Sequence, residues 1–280
     1  MTGFFVNVFA LSACWLGAGM MDVVSAPSRP LGAPTGSSFI QSTFKMGEAQ
    51  REEAIYRQIV TGNMPDFQRQ LRPVTIRTKT RSGQSVTATI YVTPDYLSVG
   101  SDRDYVRVPM NPITAQRIAS KLNMFLPTTK MVDAIYRSAN VKLAPAPLPP
   151  GAQMTTSPYY QKHNTKIEQQ LARHGTGKLV AGHKKDVVLS NRLTQRPGRV
   201  AIYGWHRTSG RPIQPLSLVH HDRYADYSHG VRLVGAQMDI NGKTYDVEDV
   251  LQSRELSPIL SSEGVLLDTK IRVPMRTAGL

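Results

Sequence analysis

The chain has a single cysteine, Cys14, and this scarcity excludes several kinds of protein. One cysteine cannot form an internal disulfide or a cysteine-based zinc site, and its position near the N-terminus excludes a thiol nucleophile deep in a domain. Acidic residues are also few: 20 Asp and Glu stand against 34 Lys and Arg, which gives a formal net charge of +14. That excess favours anionic partners such as nucleic acid, acidic glycan, cell-wall polymer or a membrane surface.

Long apolar runs are missing after the N-terminal segment. Residues 4–21 are almost all apolar or small, and residues 25–30 turn polar and proline-rich. The run is short for a membrane span, which needs about 20 residues, so we predict a secretory targeting segment over 1–26. The run Leu11-Ser-Ala-Cys14 resembles the lipobox of bacterial lipoproteins, which makes a lipid on Cys14 the alternative. We therefore expect a secreted or periplasmic protein that touches a membrane only through such a lipid.

Proline and glycine divide the rest of the 280-residue chain into parts. Residues 27–44 have the composition of a linker, and the proline-rich run 143–151 is a stiff, extended connector. The predicted parts are an α+β region over 45–143 and a mostly β region over 152–280, with one continuous domain as the alternative. Hydrophobic residues make up 40% of the chain, which excludes a fully disordered protein.

Hydrophobic periodicity predicts a mixed α+β fold. A helix is expected over 46–61, a hairpin over 74–92, and two proline-started helices near 111–122 and 127–135. Ser157 is expected to cap a further helix, on which His163 lies in the buried stripe. Strands are expected over 185–190, 199–203 and 230–240, with Asn241-Gly242 as a hairpin turn, a helix over 247–252 and a last strand over 271–275.

Histidine and positive charge concentrate in one stretch of the C-terminal half. Five of the seven histidines fall between His183 and His229. Three motifs lie there: Gly182-His-Lys-Lys-Asp186, Tyr203-Gly-Trp-His-Arg207, and the dense polar run from His220 to Arg232. Large side chains that can donate or accept protons are unusual in an ordinary loop, which favours Gly, Ser, Asn and Pro. The stretch therefore predicts a functional pocket, with basic surface as the simpler alternative.

Two resemblances rest on these motifs. Ser228-His-Gly-Val-Arg-Leu233 is similar to the Ser-His-Gly-Cys-Val-Arg signature of L,D-transpeptidases, exported cell-wall enzymes of bacteria. The similarity covers six residues and lacks the catalytic cysteine, so cysteine transpeptidation does not carry over. The chain also resembles an uncharacterised family of secreted bacterial proteins, which implies export and supplies no activity. That resemblance depends on three stretches: Gly182–Val188, Val200–His206 and Tyr224–Arg232.

The residues of this stretch favour some chemistries and disfavour others. A serine hydrolase is disfavoured because Ser228 and His229 are neighbours, which a strand points to opposite faces. The residues that could bind zinc lack a tight ligand spacing, so we expect no cofactor while leaving a histidine-bound zinc open. The candidate ligands are three of the histidines His183, His206, His220, His221 and His229, with Asp226 as a further ligand. A glycosidase needs two carboxylates, for which Asp186 and Asp226 are the candidates. Nucleic acid is disfavoured by export and by the absence of an RRM or OB-like aromatic pattern.

Acid–base chemistry without a metal is the most economical reading. The expected catalytic residues are His206, Asp226, Tyr227 and His229, with a histidine as the base and a tyrosine as the proton donor. The expected substrate-binding residues are His183, Lys184, Trp205, His220, Tyr224 and Arg232. The sequence thus predicts a hydrolase or lyase acting on an anionic glycan or cell-wall polymer. The alternative is a non-catalytic protein that binds such a polymer, and the two differ in whether His206 and His229 share one concave pocket.

Overall fold

The structure is a computed structural model that describes residues 23–273, which form seven α-helices and thirteen strands. The helices are α1 (Gly36–Ser42), α2 (Glu48–Val60), α3 (Pro112–Lys121), α4 (Thr129–Ser138), α5 (Ser157–Leu171), α6 (Arg192–Gln195) and α7 (Val247–Gln252). The strands are β1 (Arg72–Lys79), β2 (Ser85–Val92), β3 (Ser98–Gly100), β4 (Tyr105–Arg107), β5 (Met124–Phe125), β6 (Val141–Lys142), β7 (Val180–Ala181), β8 (Lys185–Val187), β9 (Ile202–His206), β10 (Pro212–Ser217), β11 (His229–Gly230), β12 (Val234–Ile240) and β13 (Lys243–Asp246). The predicted α+β class is confirmed.

The larger sheet joins the two halves of the chain. Its order is β1-β2-β12-β13, with β5 also paired to β12. The β1–β2 hairpin forms as predicted, and alternate residues such as Val74, Ile76 and Ile90 are buried on one face, as a strand period of two requires. Asn241 and Gly242 both have positive φ, the backbone that a tight two-residue hairpin needs. Because β2 and β12 pair, this sheet contains strands from both predicted parts of the chain.

The smaller sheet carries the histidine-rich stretch. Its order is β10-β9-β8-β11, antiparallel except where β8 and β11 run parallel. Strand β8 is therefore central, with Lys185 between Gly204 on β9 and His229 on β11. Helix α4 packs against β9, so its polar side chains reach the end of this sheet.

The helices begin where the sequence provides capping groups. The Asn111 side chain accepts a hydrogen bond from the Thr114 N–H at the start of α3, and Thr128 does the same for Met131 at the start of α4. Helix α5 begins one residue earlier than predicted: Thr156 is its cap, Ser157 is already helical, and no side chain caps the helix end.

Three sequence-based predictions need correction or fall outside the structure. The segment 27–44 is not a plain linker, because it contains α1, whose Phe39 and Ile40 are buried against the core. Residues 271–273 do not form a strand, and the rest of the predicted last strand lies outside the described residues. The apolar segment up to residue 22, with Cys14, also lies outside them. None of the helices formed by residues 23–273 is long and apolar enough to cross a membrane.

Candidate active site

A shallow cavity of about 450 Å³ opens at the end of β9, where α4 packs against the strand. His206 lines it with a ring that is almost buried, and His206 Nε2 lies 3.0 Å from Asp133 Oδ1. The Tyr203 hydroxyl donates to the same Asp133 oxygen at 2.9 Å. A carboxylate only accepts hydrogen bonds, so this contact places the proton on His206 Nε2 and leaves the lone pair on Nδ1. The arrangement is a histidine base oriented by a carboxylate.

Basic side chains surround the same cavity. Arg137 and Lys142 line it, both exposed. Lys142 Nζ lies 5.4 Å from the centre of the Tyr136 ring, which is within reach of a cation–π contact. Burial raises the pKa of Tyr203, and its hydrogen bond to Asp133 acts in the same direction. Tyr203 therefore keeps its proton and holds Asp133 in place.

His206 and Tyr136 form a wall between this cavity and an inner void. Their rings stack at 4.5 Å with 16° between the planes, and both also line an enclosed space of about 10 Å³. Asp186 and Arg232 face that space from the other side. The Asp186 carboxylate accepts a hydrogen bond of 2.8 Å from the Tyr96 hydroxyl. Burial raises the pKa of Asp186 to about 6, with Arg232 and the Tyr96 bond acting in the opposite direction.

Glycine at position 204 allows this wall to form. Gly204 has φ +105°, which side-chain-bearing residues rarely adopt. A Cβ there would lie 3.3 Å from Val132 Cγ1, a tight contact, and would also touch Asp186 Oδ2 at 3.4 Å. The next residue, Trp205, also has positive φ, so the alternation of the strand breaks just before His206.

The predicted cluster at the end of the histidine-rich stretch does come together, with His220 and Tyr224 partly exposed and Asp226 and His229 buried. Tyr224 stacks on His220 at 4.0 Å, meets the His229 ring edge-on at 5.7 Å, and donates to Asp226 at 3.1 Å. Asp226 also accepts from the Ser228 backbone and hydroxyl. A tight turn joins Asp226 and His229, in which the His229 N–H donates to the Asp226 carbonyl at 3.0 Å.

His229 has no route to a substrate in this arrangement. Its side chain is fully buried, and neither ring nitrogen has a hydrogen-bond partner among residues 23–273. Burial lowers the pKa of His229, although the nearby Asp226 charge acts in the opposite direction. Burial alone would raise the pKa of Asp226, but His229 and the Ser228 hydrogen bonds bring it below its usual value. The pair is a buried, neutral imidazole beside a hydrogen-bonded carboxylate.

The structure does not place His206 and His229 in one pocket. His206 lines the cavity at the end of β9, whereas His229 is on β11, with β8 between the two strands. The expectation of a shared concave site for these two histidines is therefore wrong. They do not line an open groove either, because His229 is buried, so this criterion does not separate an enzyme from a binding protein. Of the two, only His206 lines a cavity, and any acid–base site must depend on His206.

Two further predicted roles are corrected by burial. The Tyr227 hydroxyl is held by the Leu148 backbone, accepting from its N–H at 2.8 Å and donating to its carbonyl at 3.2 Å, so it is not positioned as a proton donor to substrate. Trp205 packs inside against His163 and Tyr227, with Lys185 Nζ 5.3 Å from its ring, so it is not exposed to bind substrate. His163 is buried in the helix stripe, as predicted.

Three expected substrate-binding residues are structural. His183 Nε2 lies 3.0 Å from Asp95, which Arg107 also contacts in a buried ion pair. Lys184, 1% exposed, donates to the Tyr227 carbonyl at 2.7 Å. Arg232 donates to the Thr93 and Val180 carbonyls, both at 2.5 Å, and lines the enclosed space together with Asp186. Of the six, only His220 and Tyr224 are partly exposed.

Asp133, Tyr136 and Tyr203 were missed by sequence reasoning. Asp133 follows a buried valine on an amphipathic helix, where an acidic residue is usually a solvated side chain. Tyr203 belongs to a motif that the sequence did single out, three residues before His206, and this spacing was the one usable signal.

Among residues 23–273, no three His, Cys, Asp or Glu side chains converge in a group that could hold a metal ion. Comparison with known proteins adds no relative: no family model, no curated protein and no solved structure matches this chain.

Proposed function

We propose that the protein is a lyase that cleaves an anionic, uronic-acid-containing polysaccharide at the His206 cavity. The observation that supports this best is the Asp133 oxygen shared by His206 and Tyr203, beside Arg137 and Lys142 in one cavity. It provides a base, a group that orients the base, and cations for a substrate carboxylate.

The proposed step is a β-elimination. His206 Nδ1 removes the proton on the carbon next to the uronate carboxylate, and the electron pair forms a carbon–carbon double bond as the glycosidic C–O bond breaks. The imidazolium then returns the proton to the departing oxygen, so no water is consumed. Arg137 and Lys142 stabilise the charge that grows on the carboxylate as the proton leaves. Asp133 and Tyr203 are positioning residues.

Elimination fits the cavity better than glycoside hydrolysis. The two carboxylates of a glycosidase lie about 5 to 9.5 Å apart on either side of the bond. Of the described residues lining the cavity, Asp133 is the only carboxylate, and it is engaged by His206 and Tyr203. Asp186 is buried behind His206 and does not line the cavity.

The test is cleavage of polygalacturonate, alginate and hyaluronan by the purified protein. A lyase gives new chain ends that absorb in the ultraviolet, because each carries a double bond conjugated with the carboxylate. New reducing ends without that absorbance would identify a hydrolase and contradict elimination.

The variants test the roles of the residues. His206→Gln keeps an N–H that can reach Asp133 but has no basic lone pair, so the rate should fall about 10²–10⁴-fold. Asp133→Asn should lower it as well, because the amide no longer fixes the histidine tautomer. His174→Gln, an exposed histidine at the end of α5, is the matched control and should keep full activity. Saturable binding without any product would indicate the alternative, a non-catalytic polymer-binding protein.

We also propose that the protein is exported, on the strength of the apolar segment 4–21. Mass spectrometry of the exported fraction from a bacterial host should show a shortened N-terminus. An intact Met1 in that fraction would contradict export by a cleaved signal, and a lipid on Cys14 would identify the lipoprotein route.

A further inference from the structure

Strand β10 connects the His206 cavity to a second, basic cavity. Pro212 at its start lines the first cavity, and Leu216 and Ser217 at its end line another of about 400 Å³. Five residue steps along a strand span about 17 Å. In the part of the chain that the structure describes, β10 pairs only with β9, so its other edge is open along this length.

The second cavity has unpaired positive charge. Arg192 and Arg196 line it, both are exposed, and neither side chain forms an ion pair or hydrogen bond with any of residues 23–273. Exposed Val219 lies at the same cavity. Arg196 also lines a smaller neighbouring cavity with Arg199 and Arg272, so basic side chains continue beyond the second cavity, where Asp222 and Asp268 accompany them. Free guanidinium groups of this kind bind carboxylates through paired N–H donors.

The open edge is poorly suited to a peptide strand. Pro212 and Pro215 have no backbone N–H, so two of the six residues of β10 cannot donate to an added strand. An occupant held by side-chain charges, and not by backbone pairing, fits this edge better. Charge complementarity therefore points to an extended polyanion.

We propose that a polyuronate chain lies along β10, with its reacting unit in the His206 cavity and a remote carboxylate on Arg192 and Arg196. This inference rests on the proposed function for its substrate class and adds a remote binding site that selects long chains. It predicts that affinity rises with chain length once the chain can span about 17 Å.

The experiment measures binding of fluorescently labelled oligogalacturonates, one too short and one long enough to span β10. Wild-type protein should bind the long chain more tightly. The double variant Arg192→Gln/Arg196→Gln should weaken binding of the long chain about tenfold and change binding of the short chain less than about twofold, as two exposed charge contacts would. The salt dependence of long-chain binding should also become shallower, since fewer charges are paired.

The matched control removes the same charge elsewhere. Arg173→Gln/Lys121→Gln alters two exposed cations away from both cavities and should leave the length dependence intact. An equal loss for short and long chains, an equal loss in the control, or no binding of the long chain by wild-type protein would each overturn the remote site. Length-dependent binding without cleavage would keep the remote site and refute the lyase, whereas cleavage without length dependence would do the reverse.

Discussion

Replacing Asp186 with asparagine should stabilise the protein at neutral pH and have almost no effect in acid. Asp186 is buried, and burial raises its pKa from 3.8 to about 6. Well below pH 3.8 the carboxyl group is protonated in both the folded and the unfolded chain, so its burial does not lower the free energy of unfolding there. As the pH rises towards 6 the unfolded chain releases the proton first, and folding loses stability.

The size of the effect follows from that difference in pKa. The pKa of Asp186 is about two units higher in the folded chain than in the unfolded chain. That difference lowers the free energy of unfolding by about 3 kcal/mol, and the full loss is reached above about pH 7. Asparagine has no charge to desolvate, and its amide oxygen can still accept the Tyr96 hydroxyl bond. The variant should therefore match wild-type stability near pH 3.5 and exceed it by about 3 kcal/mol at pH 7.5.

Urea unfolding of both proteins at a series of pH values measures this difference. Asp249→Asn, which changes an exposed carboxylate on α7, is the control and should show no comparable pH-dependent gain. If Asp186→Asn is less stable than wild type at pH 7.5, the carboxylate stabilises the fold through Arg232, and burial is not the dominant effect on Asp186.

Two further predictions concern single positions. Gly204→Ala should lower the free energy of unfolding by about 1–3 kcal/mol, because Gly204 has a positive φ. The loss should exceed that of Gly83→Ala, where φ is also positive but a Cβ meets nothing within 4 Å. Equal melting temperatures of the two variants would contradict the contacts at Gly204. A chain that starts at Pro27 should have a free energy of unfolding about 1.5–3 kcal/mol lower than one that starts at Val23. The reason is that Val24 is only 4% exposed and its N–H donates to the Arg69 carbonyl. Equal stability of the two chains would show that residues 23–26 contribute nothing to the fold.

Local signals in the sequence predicted the elements well. The β1–β2 hairpin, the turn at Asn241-Gly242, and α3 and α4 all form where alternation, turn residues and capping groups placed them. These signals act between residues close in sequence, so they do not depend on the tertiary fold. Helix α1 was missed because its sequence is rich in Ser and Gly, and only its burial of Phe39 and Ile40 against the core stabilises it.

The candidate site was predicted less well because its key contacts are tertiary. His206 was identified from its motif, but Asp133 reaches it from α4, 73 residues earlier in the chain. Strand alternation also fails at Gly204 and Trp205, since both have positive φ, and this sends Trp205 into the core. In the dense polar run, side chains that can donate or accept protons indicated a site. In the structure they mainly contact one another, as Tyr224 and Ser228 do with Asp226. A polar motif alone does not distinguish a pocket from a buried network.

Lys184 offers a test of that buried network. Burial lowers its pKa to about 7, and Arg107 acts in the same direction, while its ammonium group donates to the Tyr227 carbonyl. The unfolded chain keeps the lysine proton up to about pH 10.5, so wild-type stability should rise as the pH increases from 7.

Lys184→Met removes this pH dependence of stability but leaves the Tyr227 carbonyl without its donor, which lowers the free energy of unfolding by about 1–3 kcal/mol at every pH. The advantage of the variant over wild type should therefore shrink by about 3 kcal/mol between pH 7 and pH 9.5, measured by urea unfolding. A difference that does not change over this range would show that Lys184 is charged throughout and that its bonds to Tyr227 and its neighbours outweigh the cost of burial.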